Sequence, residues 1–304
     1  MLTPFDRNGK IDYTTLAKLT AYYIEAGATG LFANCLSSEM YELLEQERVD
    51  ITAFVVKEAA GVIPVFSTGT FGGSIQQQAD FSRRIHDTGV DGVVAITSIL
   101  ASEHEADDVL IARVEELFSY TGNIPFGFYE CPVPYKRVLS PESLHRIVQT
   151  GRVVYYKDTS LDLAAVTEKL QLNSCNPSFE LYDAYMVNAV ASLQAGCAGL
   201  SCIQGNFVPE LISWITYHFA DSSKKEQVMA AQQFLTDSMP VMHDVYPTAA
   251  KYFLGLRGLK MDTATRRTVG DLTESAKQRL TQLSHDYDQL LEQLGIKTIK
   301  GWPA

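Results

Sequence analysis

Seven short apolar runs, separated by longer amphipathic stretches, limit what this chain can fold into more than any other feature. The runs are GLFANC (30–35), VIPVFSTGT (62–70), DGVVAIT (91–97), IPFGFYE (124–130), VVYYKD (153–158), FELYDA (179–184) and AGLSCI (198–203). They are apolar throughout rather than alternating, which suits strands of a parallel sheet buried on both faces. Between them the periodicity predicts helices over 13–25, 44–60, 75–88, 107–120, 141–150 and 161–170. Ser140 followed by Pro141 supplies an N-cap and a first helical residue. Gly27, Gly61, Gly89, Gly122, Gly151 and Gly196 fall where helices would end in left-handed caps. Strands and helices alternating every roughly 30 residues leave two solutions, an open doubly wound sheet or a closed (β/α)8 barrel. No GxGxxG follows an early strand, which removes the best support for the open sheet. The barrel needs an eighth strand, and only residues 1–4 are available for it. Beyond residue 205 the strand pattern stops, and three helical segments are predicted near 206–219, 223–255 and 270–294.

The expectation is therefore an α/β chain. Its (β/α)8 TIM barrel with a truncated first strand would occupy residues 1–220, and a C-terminal helical region residues 221–304. A net charge of −11 with no basic run argues against a phosphate-backbone partner, and nucleic-acid binding is set aside. No stretch reaches the ~18 consecutive apolar residues of a membrane helix. MLTPFDRNGK lacks the apolar core of a signal peptide. The five cysteines, Cys35, Cys131, Cys175, Cys197 and Cys202, form no CxxC pair. Together these features predict a cytoplasmic protein with reduced thiols. The histidines form neither HxH nor HxxxH, so no metal site is expected.

In a barrel of this kind the chemistry sits at the carboxyl ends of the strands. That edge carries Ser37, Ser38 and Glu39, then Thr68 and Thr70, Tyr129 and Glu130, Lys157 and Asp158, Asp183, and finally Ser201, Gln204 and Asn206. The useful coincidence is Lys157 ending one apolar run and Tyr129 ending the run before it. A buried ammonium is costly unless it is paired or gives up its proton. An amine in an apolar pocket attacks a carbonyl and forms a Schiff base. The imine withdraws electrons from the neighbouring carbon, and a nearby phenol can carry protons in and out. The bland readings stand beside this one: Lys157 as a solvated surface group, Tyr129 as a core tyrosine with a satisfied hydroxyl. Ser37 and Ser38 could cap a helix beginning near Met40. Glu130 is open between an acid or base of the site, an acceptor for Lys136 or Arg137, and a solvated loop charge.

These residues carry a resemblance. The chain resembles the dihydrodipicolinate synthase and N-acetylneuraminate lyase family of class I pyruvate aldolases, as a divergent member. The likeness runs nearly end to end, through TPFD (3–6), GATGLFANCLSSE (27–39), GVIPVFSTGT (61–70) and GVDGVVAITS (89–98). It continues through FYE (128–130), YYKDTS (155–160), AGCAGLSCIQGN (195–206) and PTAAK (247–251). The resemblance implies that Lys157 forms the imine with a 2-oxo acid such as pyruvate and that Tyr129 shuttles protons. It places Ser37, with the main-chain N–H groups of Ser37 and Ser38, on the substrate carboxylate, and the backbone of Ser201 over the keto acid. Glu130 and Thr70 stand as further candidates. No metal or organic cofactor is implied, and a homotetramer is.

The departures are specific. The family's second strand motif reads glycine, two hydroxyl residues, glycine, glutamate, and here Cys35, Leu36, Ser37, Ser38 and Glu39 stand in its place. Leu36 replaces the hydroxyl that relays protons to the tyrosine. Ser98, Ile99 and Leu100 stand where the synthase branch lends a tyrosine to a neighbouring subunit, and Pro134 meets its substrate-binding arginine. The Schiff-base half of the site is thus retained, while the half that takes the partner aldehyde departs from the lysine-biosynthesis enzyme. The reading is a lyase performing reversible aldol cleavage or condensation, with an unidentified aldehyde as partner. Sugar-acid dehydration through the same imine, a silent keto-acid-binding homologue, and a barrel enzyme using Glu39 and Glu130 without a covalent step are the alternatives. Relatives carry a further strand ahead of the TPF motif, so a start upstream of Met1 is expected.

Overall fold

The computed structural model describes residues 1–299. One seven-stranded sheet forms from β1 (Leu31–Phe32), β2 (Val65–Thr68), β3 (Gly92–Ile96), β4 (Phe126–Tyr129), β5 (Val153–Asp158), β6 (Glu180–Asp183) and β7 (Gly199–Leu200). The strands lie in chain order and every neighbouring pair is parallel. Each of the seven apolar runs supplies one of them. α1 (Tyr13–Glu25) precedes the sheet, and α2 (Glu45–Ala59), α3 (Ile75–His86), α4 (Thr97–Leu100) with α5 (Asp107–Tyr120), α6 (Pro141–Val148), α7 (Leu163–Asn173) and α8 (Ala189–Ala195) make the crossovers. Residues 1–4 form no strand. Met1 and Leu2 are buried in the core, and Phe5 makes an isolated antiparallel bridge with Ile11.

Local chemistry sets the helix ends. Ser140 accepts from Ser143 N–H at 3.1 Å, with Pro141 at the first helical position of α6. α7 starts two residues later than the periodicity predicts, because Asp162 caps it through the N–H groups of Ala164 and Ala165 and Leu161 adopts φ +67°. The segment read as one helix over 223–255 is two, α10 (Lys225–His243) and α11 (Thr248–Leu256). Val245 at φ +43° and Pro247, which has no N–H to give, separate them. α9 (Pro209–His218) comes before this pair and α12 (Glu274–Leu294) after it. Among the described residues no helix is long and apolar enough to cross a membrane.

The inner face of the sheet is built from aromatic rings lying over glycines. In register, Phe66 faces Gly92, Tyr155 faces Gly127 and Tyr182 faces Gly199. A Cβ on Gly127 would fall 2.7 Å from the Tyr155 ring, and one on Gly199 3.0 Å from Tyr182. The freed space lets the rings of Phe66 and Tyr155 stack at 4.8 Å, with Tyr182 5.0 Å beyond Tyr155. This layer lies beneath the strand ends that carry the candidate site.

Candidate active site

Tyr129 ends β4, and its register partner on β5 is Lys157. Side chains of one strand alternate between the sheet's faces, so partners on neighbouring parallel strands stand side by side. Lys157 is 9% exposed and Tyr129 4%. The Lys157 Nζ lies 4.7 Å from the centre of the Tyr129 ring and 5.8 Å from that of Phe32, so aromatic faces surround the amine. Burial holds the Tyr129 phenol well above its ordinary pKa, which keeps it protonated at neutral pH. A cavity of about 650 Å³ is lined by Lys157 together with Cys35, Ser37, Tyr155, Ser201 and Asn206. Lys157 is thus buried against the cavity, and among the described ion pairs it has no carboxylate partner.

The remaining candidates divide between the cavity and its supports. Ser37 lines the cavity. Ser38 does not, because its N–H goes to the Cys35 carbonyl at 2.9 Å and its hydroxyl to the Ala33 carbonyl at 2.6 Å. Ser38 therefore holds the turn and offers the cavity no free donor, a correction to its expected place on a carboxylate. Ser201 lines the cavity, but its N–H bonds Asp183 O at 2.9 Å and its hydroxyl pairs with Tyr155 OH at 2.8 Å. Thr70 is fully buried and accepts the Ile96 N–H at 2.9 Å, joining β2's end to β3 rather than facing substrate space.

Glu130 is a second correction. It follows Tyr129, so strand alternation turns it to the opposite, helix-covered face. There it is fully buried with Asp158 and Lys169; the Lys169 Nζ donates to Glu130 at 2.7 Å and to Asp158 at 2.6 Å. Neither cation suggested by the sequence reaches it: Lys136 donates to Thr159 O and Arg137 to Asp107. Burial, then the charge of Asp158, pushes the Glu130 carboxyl up against the pull of Lys169. Burial pulls Lys169 down, but the two carboxylates together hold it above an ordinary lysine. Glu39 is likewise fully buried, on Lys251 Nζ at 2.9 Å and the backbone N–H groups of Arg266 and Arg267. The two carboxylates required by the non-covalent alternative are thus both committed to internal cations, away from the cavity.

Three residues of the site escaped the sequence reading. Tyr155 shares the inward parity of Lys157, and counting by two along VVYYKD would have found it. Lys169 is the cation that two adjacent buried carboxylates demand. Cys35 carries no signal beyond its position at a strand end.

The model of the Dihydrodipicolinate synthetase family matches residues 1–286. Among curated proteins, the chain is 23% identical to the 4-hydroxy-tetrahydrodipicolinate synthase of Oceanobacillus iheyensis, over 95% of each chain. It is 26% identical to that of Cereibacter sphaeroides, over 92% of this chain and 94% of the relative. Among solved structures, it superposes on YagE, a prophage protein of the dihydrodipicolinic acid synthase family from E. coli K12 in complex with pyruvate, with TM-score 0.82, 22% identity and 97% of each chain covered. On dihydrodipicolinate synthase DapA-2 from Bacillus anthracis the TM-score is 0.83, with 20% identity, 94% of this chain and 95% of the other covered.

Proposed function

The chain belongs to the dihydrodipicolinate synthetase family, and from that premise we propose that it is a Schiff-base lyase acting on a pyruvate-type 2-oxo acid. It is an enzyme of a class I lyase family, and the sheet is read as part of a (β/α)8 barrel over residues 1–220 with a helical region following. The observation that carries the reading is a buried Lys157 that lines a large cavity and has the buried Tyr129 as its register partner, with the ring 4.7 Å from its Nζ.

The chemistry follows from the placement of these groups. The Lys157 Nζ attacks the C2 carbonyl of a 4-hydroxy-2-oxo acid through its lone pair and forms a carbinolamine. Tyr129, held as a phenol by burial, protonates the departing hydroxyl; water leaves, an iminium forms, and Tyr129 is left as phenolate. The phenolate then takes the C4 hydroxyl proton as the C3–C4 bond breaks. An aldehyde departs, and the bonding pair stays on C3 as an enamine. Tyr129, again a phenol, protonates C3, and water addition at C2 returns pyruvate and the free amine. Ser37 is proposed to hold the substrate carboxylate and Ser201 with Tyr155 to bound the keto acid. The homotetramer of the family is proposed for this chain as well. Dehydration of a sugar acid uses the same iminium but breaks a C–O bond instead, so it remains the second reading.

The test is a panel of 4-hydroxy-2-oxo acids and sugar acids, with products identified by mass spectrometry for the wild type and Lys157→Ala. Pyruvate plus an aldehyde, absent with the variant, establishes cleavage. A product lighter by one water establishes dehydration. Turnover that survives in Lys157→Ala removes the covalent reading.

A further inference from the structure

Lys169 lies on α7 and is not among the residues that line the cavity. Its ammonium nevertheless joins Glu130 and Asp158, the residues that follow Tyr129 and Lys157, at 2.7 and 2.6 Å, with all three side chains fully buried. The strand geometry makes this junction consequential. Tyr129 and Lys157 are register partners on the cavity side, so Glu130 and Asp158 are neighbours on the helix side. Two adjacent buried carboxylates repel, and a cation between them offsets that repulsion at the ends of β4 and β5.

The β4–β5 ladder runs in register as far as Tyr129 and Lys157, and the backbone contact beyond that pair is long. At the far end of the pair, Phe126 N–H reaches Arg152 O at 2.9 Å. At the site end, Glu130 N–H reaches Lys157 O only at 3.3 Å, outside the roughly 2.7–3.2 Å of an ordinary N–H···O bond. Side chains tie the two strands beyond that last pair. Glu130 accepts from Tyr156 OH on β5, from Thr159 N–H at 2.8 Å just beyond it, and from Leu139 N–H at 3.2 Å. Thr159 Oγ1 returns a bond to Glu130 O at 2.6 Å. Asp158 is fixed from its other side by Ser160, whose N–H and hydroxyl donate at 2.7 and 2.6 Å. Lys169 is the one member of this network that bonds both carboxylates.

Resting on the reading of Lys157 as imine former and Tyr129 as proton carrier, we propose that Lys169 is the positioning residue that fixes their separation by bridging Glu130 and Asp158 behind them. Tyr129 speeds imine formation, but the amount of imine present at equilibrium is set by Lys157 and the room for the keto acid. Proton transfer to C3 needs the phenol within reach of the imine, and a misplacement of about 1 Å can cost on the order of 100-fold. Loss of the bridge should therefore uncouple the two steps.

The full-length protein is incubated with pyruvate in D2O. Deuterium entry at the methyl group is followed by NMR, and borohydride-trapped imine is measured in parallel by intact mass. The quantity read is the exchange rate per trapped imine, which does not depend on how much protein is folded. Glu130→Gln breaks the bridge while leaving Lys169 its Asp158 partner, so it retains the fold; Lys169→Met breaks it from the other side. The expected result is a fall of roughly 10- to 100-fold in that ratio for Glu130→Gln with trapping retained, and a fall in the folded fraction of Lys169→Met as well. If both variants lose thermal stability yet keep the wild-type ratio, the cluster only neutralises buried charge and the proposal is overturned. A wild type that traps no pyruvate overturns the functional reading, and this one with it.

Discussion

Asp183 ends β6 beside Asp158, is 1% exposed, and takes its bonds from the neutral donors Tyr185 N–H and Ser192 hydroxyl. Burial raises its pKa above the ordinary carboxylate value, against the pull of those bonds. A raised folded value means that its favourable contribution is complete below the unfolded pKa of about 3.9 and is lost as pH rises through the folded value. Asp183→Asn, which can accept the same N–H and donate to Ser192, should thus gain on the wild type as pH rises. Melting temperatures of the two proteins from acid to neutral pH check this, and a constant difference would contradict it. The residues proposed to carry the chemistry were legible at this scale because strand ends concentrate it. Lys157 and Tyr129 were found that way. Ser38, Thr70 and Glu130 sit at the same ends but on the supporting side, and position along the chain does not separate donors spent on backbone from donors facing a cavity. Parity would have placed Glu130, since two consecutive strand residues cannot both face inward.

The strands were legible because each run is apolar, and the helices because of their amphipathic periodicity, helped by side-chain caps at the starts of α1, α3, α6, α7 and α12. Boundaries moved where backbone conformation overrode periodicity, at Leu161 before α7 and at Val245 and Pro247 between α10 and α11. The pairing of aromatic rings with glycines across strands was not legible, because register is set only when the sheet assembles. It leads to a direct prediction. Gly127→Ala puts a methyl 2.7 Å from the Tyr155 ring and 3.2 Å from the Tyr155 carbonyl, so Tyr155 must leave its stack with Phe66. Overpacking of this kind costs about 1–3 kcal/mol. Because Tyr155 also pairs with Ser201 on the cavity wall, stability and substrate binding should fall together. Denaturant unfolding and pyruvate titration measure the two, and a variant as stable as the wild type would show that the layer is loosely packed.

At the scale of the molecule, the helices beyond β7 are bound into the sheet by buried charge. Lys251 on α11 reaches back to Glu39 in the loop after β1, and Arg257 joins Glu210 on α9 at 3.2 Å. Such long-range pairs have no signature in a single sequence, although the helical segments themselves did. Removing one partner leaves the other charge buried, so Lys251→Met should cost about 3–5 kcal/mol, and the double variant with Glu39→Gln should cost less. Chemical denaturation of the three proteins tests this, and additive losses would show that the pair is not coupled. The strand order and its parallel sense followed from the recurring pattern, whereas residues 1–4 did not supply the strand sought there.

All of this converges on one amine. The most direct measurement is borohydride reduction of the protein with pyruvate, followed by peptide mass spectrometry to locate the adduct. The account predicts a reduced pyruvyl adduct on the peptide bearing Lys157 and none in Lys157→Ala. An adduct on another lysine, or none with pyruvate or larger 2-oxo acids over a broad pH range, would contradict it.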